Sequence, residues 1–465
     1  MPWPAALVRR VIKAYDVRGL VGSEIDEAFA AGVGAAFAAL MRGEGARSCV
    51  IGHDMRESSP ALSAAFADGV LGEGLDVTRI GLASTDELYF ASGFLDCPGA
   101  MFTASHNPAA YNGIKLCRAA AKPVGEDTGL AVIRESLISG ISSGEHYDGP
   151  RGRASERDVL DDYGRFLRSL VDVTALRPLR VAVDAGNGMA GHTAPAVLGP
   201  IGAVTLEPLY FELDGSFPNH EANPLEPANL VDLRNFVRST GADIGLAFDG
   251  DADRCFVVDE LGRPVSPSAV TALVAARELR REPGAMVIHN LITSRAVPEV
   301  VSELGGTPVR SRVGHSYIKD LMARTGAVFG GEHSAHYYFR DFFGADSGML
   351  AALHVLAALG GQDRPLSELM ARYQRYAASG EINFRVDDAP ACVEAVIGSF
   401  AGQVLSLDQL DGVTADLGDG AWFNLRTSNT EPLLRLNVEA PGADEVSRIV
   451  TRVTEQIAEH SGARL

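Results

Sequence analysis

Three times along this chain a short apolar run leads into a helix-like periodic segment, and a later apolar run then stops abruptly at a polar loop. The pairs are SCVIGHD with GAMFTASHNP, VAVDAGNG with IGLAFDGDADR, and MVIHNL with AVFGGEHSAH. Such alternation is the mark of βαβ units, so most of the chain is committed to α/β domains with mixed, mostly parallel sheets. Ligands of such sheets gather beyond the carboxyl ends of the strands, where the three later runs place their loops. The last stretch departs from the plan. WFNLRTSNTEPLLRLNVEA reads as two strands around a polar loop and DEVSRIVTRVTEQIAEH as an amphipathic helix, which predicts an α+β closing domain.

A chain of 465 residues is too long for one core. The repeated plan predicts α/β domains over 1–150, 151–260 and 261–368 and an α+β domain over 369–465. Polar stretches near RGRASERD, GRPVSPS and GQDRPLSE serve as the candidate linkers. Lys and Arg number 41 against 60 Asp and Glu, a net charge of −19 that argues against nucleic-acid and anionic-membrane partners. An anionic substrate therefore needs a local basic pocket. The five cysteines form no CxxC pair and read as reduced, buried thiols. MPWPAALVRR lacks the long uncharged run of a signal peptide or membrane span, so a cytoplasmic enzyme is expected. Monomer and dimer both stay open.

The loops carry the chemistry. In DGDADR, Asp249, Asp251 and Asp253 alternate with small residues, so three carboxylates can converge on one point. Hard oxygen ligands of this kind suit Mg²⁺. An EF-hand loop is the sharper rival, with Glu260 at its twelfth position. It fails because Arg254 stands where the turn needs Gly and because both flanks read as strands. In TASHNP, Ser105 and His106 follow a strand directly, and an Asn112-Gly113 turn is expected to present Lys115. GEHSAH offers Glu332, Ser334 and His336 on alternate positions, suited to sugar hydroxyls. A zinc site using His333 and His336 is disfavoured because the helical HExxH spacing is absent. RTSNTEP with Arg435 combines Arg426, Ser428, Asn429 and Thr430, donors that can grip a phosphate, though a plain hairpin turn would look the same. No GxxxxGK[ST] loop or strand-embedded GxGxxG points to a nucleotide.

TASHNP, DGDADR, GEHSAH and RTSNTEP, in that order, resemble the α-D-phosphohexomutase superfamily over nearly the whole chain. AYDVRG at 14–19, with Tyr15 and Arg18, and GHSYIK at 314–319, with Gly314, His315 and Lys319, are similar to that family's active-site segments. The resemblance implies four domains around a central cleft. It implies Ser105 as the phosphoserine, itself a ligand of a Mg²⁺ held by Asp249, Asp251 and Asp253. Arg18, Lys115, Arg254 and His315 would surround the transferring phosphoryl group, with Lys115 or His315 moving the proton. His106 would touch the substrate, GEHSAH would choose the sugar and RTSNTEP would bind the distal phosphate. GEHSAHYYFRD is more similar to phosphomannomutases and dual mannose/glucose enzymes than to phosphoglucosamine mutases. The implied reaction interconverts hexose 6-phosphate and hexose 1-phosphate through a hexose 1,6-bisphosphate, which also acts as activator. A Mg²⁺-dependent sugar-phosphate phosphatase could use the same residues and release phosphate to water. Two departures bear on substrate choice: GHDMR lacks an Arg before its Asp, and Ile292 stands where some relatives carry a phosphate-facing Lys.

Overall fold

The computed structural model describes residues 2–140, 147–427 and 433–461. These form two compact units: 1–265, 322–329 and 334–369 in the first, and 266–321, 330–333 and 370–465 in the second.

The first unit opens with a six-stranded sheet of β1 (Val17–Leu20), β2 (Ser48–His53), β3 (Asp76–Leu82), β4 (Gly99–Phe102), β5 (Tyr111–Cys117) and β6 (Ala154–Glu156). Their order is β1-β5-β4-β2-β3-β6. β4, β2, β3 and β6 run parallel, β5 is antiparallel to β4, and β1 is antiparallel to β5. The helices Glu27–Gly43 and Ser59–Gly72 bury Phe29, Phe37 and Phe66 with Phe102 of the sheet. RGRASERD is thus more than a linker, since its middle residues add β6 to the sheet edge beside β3.

The expected Asn112-Gly113 turn is also replaced. Both residues lie inside β5, because Asn112 is fully buried and its Nδ2 donates to the hydroxyls of Ser58 and Ser59. Gly113 is required there by close approach: a Cβ would lie 2.4 Å from the Val17 carbonyl oxygen. Lys115 is therefore presented by a strand, opposite Met101 of β4.

A second sheet orders β11 (Pro264–Val265), β10 (Cys255–Asp259), β9 (Ile244–Phe248), β7 (Leu179–Asp184) and β8 (Val204–Leu209). Here β8, β7 and β9 are parallel and β10 turns back on β9. Residues 249–254, the DGDADR loop, join two fully buried strands, which fixes both of its ends. Three stretches of this unit meet at Asp86, which accepts hydrogen bonds from the hydroxyls of Ser84, Tyr163 and Ser347.

In the second unit, Met286–Asn290 pairs in parallel with Thr307–Ser311. The sequence from 377 onward forms an antiparallel five-stranded sheet, with the helices Ala389–Ser399 and Ala443–Ser461 sharing its core around Phe384, Phe400 and Phe423. This is the α+β arrangement expected of the C-terminal stretch. All five cysteines are buried and free. Among the described residues no helix is long and apolar enough to cross a membrane.

Candidate active site

The chain leaves β4 through Thr103 into a tight loop at Ser105. Its φ of 49° is a left-handed value that costs a non-glycine residue about 1 kcal/mol or more. The turn is held by Ser105 N donating to Thr103 Oγ1 at 2.9 Å. Ser105 Oγ donates to Asp249 Oδ2 at 2.8 Å and lies 3.2 Å from His106 Nδ1. Arg254 Nη2 donates to that same Nδ1 at 2.6 Å, so the nitrogen carries a lone pair and the ring is neutral. The Arg254 charge, and then burial, push the His106 pKa well below its ordinary value.

Asp249, Asp251 and Asp253 are all buried, and one oxygen from each lies within 4.8 Å of the others. The loop comes this close to Ser105 because residue 250 is glycine; a Cβ there would sit 2.4 Å from the Ser105 carbonyl oxygen. Lys115 Nζ donates to Asp251 Oδ2 at 2.7 Å and to Asp253 Oδ2 at 2.6 Å. Burial works against the Lys115 charge, but the two carboxylates overcome it and hold its pKa well above normal. Burial, opposed by Arg254 and reinforced by Asp253 and Asp251, pushes Asp249 up to about 7. Burial also resists ionisation of Asp251, yet Lys115 and the Thr85 hydroxyl keep it well below the usual range.

One lysine and one arginine thus face three buried carboxylates. Asp251 Oδ1 and Asp253 Oδ1 are buried and accept no hydrogen bond. Inward-facing hard oxygens in excess of positive charge fit a divalent cation such as Mg²⁺. A second group within metal-ligand distance, Asp253, His336 and Asp346, shares one of these carboxylates. His333 takes no part in it and meets the Ser268 hydroxyl.

Profiles described as phosphoglucomutase/phosphomannomutase alpha/beta/alpha domains I, II and III match residues 9–139, 161–262 and 266–376. A fourth, for the C-terminal domain of the same proteins, matches 381–456. The chain belongs to the phosphoglucomutase/phosphomannomutase family. It is 42% identical over 447 residues to the phosphohexose mutases of Xanthomonas campestris, covering 95% of this chain and 97% of the relative. It is 40% identical to the phosphomannomutase of Escherichia coli K12, covering 92% and 94%. A crystal structure of a phosphoglucomutase/phosphomannomutase family protein from Burkholderia thailandensis matches with a TM-score of 0.87 at 30% identity, over 99% of this chain and 98% of the other.

In the first unit, further sequence candidates of this family member lie beside these loops. Arg18 Nη1 donates to Asn107 Oδ1 and Nη2 to Asp16, both at 2.6 Å, placing Arg18 beside the Ser105 loop, with half-buried Tyr15 three residues earlier. His336 pairs through its backbone with Arg254, lies 3.8 Å from Asp253 Oδ1, and meets Ser334 Oγ at 3.0 Å. In the second unit, buried Glu332 accepts from Asn290 Nδ2 at 3.2 Å and from Gly314 N at 3.1 Å. His315 opens the helix His315–Thr325, which carries buried Lys319. Ile292 is buried. Arg426 and Arg435 are cross-strand neighbours, and both pair with Glu381, at 2.6 and 3.2 Å. Ser428, Asn429 and Thr430 lie outside the described residues.

Two contributors had no sequence signal. Thr85 Oγ1 donates to Asp251 Oδ2 at 2.6 Å and Thr85 N to the Asp251 carbonyl at 3.0 Å. Thr85 reads only as part of a helix start, and Glu381 only as a polar strand residue.

Proposed function

We propose that this chain is a Mg²⁺-dependent phosphohexomutase that interconverts the 6-phosphates and 1-phosphates of mannose and glucose through a phosphorylated Ser105. The observation that carries the reading is the Ser105 hydroxyl hydrogen-bonded to Asp249, one of three clustered buried carboxylates that Lys115 and Arg254 neutralise only in part. The family, and relatives named as phosphomannomutases at about 40% identity, support the substrate class.

Asp249, Asp251, Asp253 and a phosphate oxygen on Ser105 would hold the cation, whose chemistry is to neutralise charge spreading over the transferring phosphoryl group. The remaining work falls to the chain. Ser105 presents its phosphoryl group to a sugar hydroxyl. The bond from phosphorus to Ser105 Oγ breaks as the bond to the sugar oxygen forms, leaving a hexose 1,6-bisphosphate. The ammonium of Lys115, held charged by Asp251 and Asp253, has no lone pair to offer, so the hydroxyl proton passes to His315. With the bisphosphate turned to offer its other phosphate, the reverse step phosphorylates Ser105 Oγ and returns the proton to the sugar oxygen. Arg254, fixed on Asp249, keeps a cation beside the reacting group, and Arg18 lines the same loop. Glu332, Ser334 and His336 select sugar hydroxyls. Arg426 and Arg435, with Ser428, Asn429 and Thr430, hold the distal phosphate. Hexose 1,6-bisphosphate therefore activates enzyme that has lost its phosphate.

Incubation with hexose 1,6-bisphosphate should add one phosphoryl group at Ser105 by intact mass and peptide mapping, and coupled assays should show turnover of mannose 1-phosphate without release of inorganic phosphate. Ser105→Ala should abolish both. Stoichiometric phosphate release would instead mark a phosphatase, and turnover by an enzyme never phosphorylated at Ser105 would remove the mechanism.

A further inference from the structure

Arg56 lies in the loop after β2 and is 2% exposed, yet it touches none of the carboxylates of the DGDADR loop through a hydrogen bond. Its donors converge on backbone carbonyls. Nη2 donates to the oxygens of Ser105 at 2.9 Å and Asn107 at 2.7 Å. Nη1 donates to those of Pro108 and Tyr111, each at 3.0 Å. Nε lies 3.2 Å from Asp54 Oδ2, which supplies the counter-charge. Asp54 is fixed in turn, because its Oδ1 accepts from the Ser59 hydroxyl at 2.6 Å and from Arg56 N at 3.0 Å.

We propose that Arg56 is the positioning residue for the nucleophile: its planar fork sets the conformation of the loop 105–111 and so aims Ser105. The inference rests on Ser105 being the phosphorylated group. The Ser105 carbonyl is buried and takes its hydrogen bond from Arg56, which also gathers the carbonyls of Asn107, Pro108 and Tyr111 to one point. Ser105 itself sits at a left-handed φ that must be held by its surroundings. A guanidinium offers five donors in one plane, whereas a lysine offers three around a single nitrogen, so the arrangement cannot be copied by another cation. With Nη1 and Nη2 committed to four carbonyls and its charge paired with Asp54, Arg56 acts through the loop and not on the phosphoryl group.

The test is single-turnover transfer from hexose 1,6-bisphosphate to dephosphorylated enzyme, read by rapid quench and intact mass, for wild type, Arg56→Lys and Arg56→Gln. Circular dichroism melts report folding. Mispositioning by a fraction of an ångström predicts a rate lower by about 100-fold, with full amplitude and little change in KM for hexose 1-phosphate. Lysine should recover little of the loss despite keeping the charge. A purely structural role would lower the amplitude and leave the rate of the folded fraction intact, and that result overturns the proposal. So does failure of both variants to fold, or a folded Arg56→Lys that accepts phosphate at the wild-type rate. A wild type that takes up no phosphate at Ser105 refutes the phosphoserine reading, while a phosphorylated wild type matched by Arg56→Lys refutes this inference alone.

Discussion

Asp251 is oriented by Lys115 and by Thr85, a residue far upstream that grips it through both hydroxyl and backbone N–H. Partners that orient metal-binding carboxylates typically contribute 10- to 100-fold in affinity. Thr85→Val should therefore weaken Mg²⁺ binding by about 10-fold in titration calorimetry, whereas Thr85→Ser, which keeps the donor, should bind as wild type. An unchanged affinity in the valine variant would reduce Thr85 to a helix-start residue. The contrast explains what could be read at this scale. The alternation of Asp249, Asp251 and Asp253 is local, so spacing alone announced a convergent set. Thr85 and Arg56 act on loops that only the folded chain brings to them, and neither residue type is unusual in its own stretch.

Among the elements, the α/β alternation and the closing α+β segment were legible because periodicity reports which face is buried. β5 was not, since Asn-Gly is the strongest short signal for a turn and only the burial of Asn112 and the approach of β1 override it. Gly113→Ala should consequently destabilise the protein by several kcal/mol in urea unfolding, because the added Cβ meets backbone that cannot give way. The helix Thr85–Phe94 yields a prediction about pH. Burial raises Asp86 from its ordinary 3.8 to about 6, despite its three hydroxyl partners. Between these values the folded state holds a proton that the unfolded chain has released, so the Asp86 contribution to stability falls as pH rises from about 4 to about 6 and is level beyond. At about 1.4 kcal/mol per tenfold change in proton affinity, the effect is on the order of 3 kcal/mol. Chemical denaturation across this range should show the decline, and Asp86→Asn should remove that part of it; parallel profiles for the two proteins would contradict the assignment.

Over the whole molecule the charge of −19 works against a phosphorylated substrate, so the proposed phosphate grip requires cations freed from internal partners. Arg426 and Arg435 are held by Glu381, whose carboxylate occupies their forks much as a phosphate would. A mutase must hold the phosphate opposite Ser105 in either orientation of the bisphosphate, and a guanidinium pair recognises phosphate whichever sugar carbon bears it. Glu332, fixed by Asn290 and Gly314, instead presents a carboxylate in a set direction, and hydroxyls change place between epimers. The two sets should therefore separate kinetically. Losing a desolvated charged contact costs about 2 to 5 kcal/mol, so Arg426→Ala should lower kcat/KM steeply, and by similar factors for mannose 1-phosphate and glucose 1-phosphate. Glu332→Gln should lower both less and shift their ratio. Glu381→Gln, which loosens the hold on the guanidinium pair, should lower KM for both sugars together. Steady-state kinetics of the three variants on both substrates decides the matter. If Arg426→Ala discriminated between the epimers while Glu332→Gln left their ratio untouched, the roles given to the two residues would have to be exchanged.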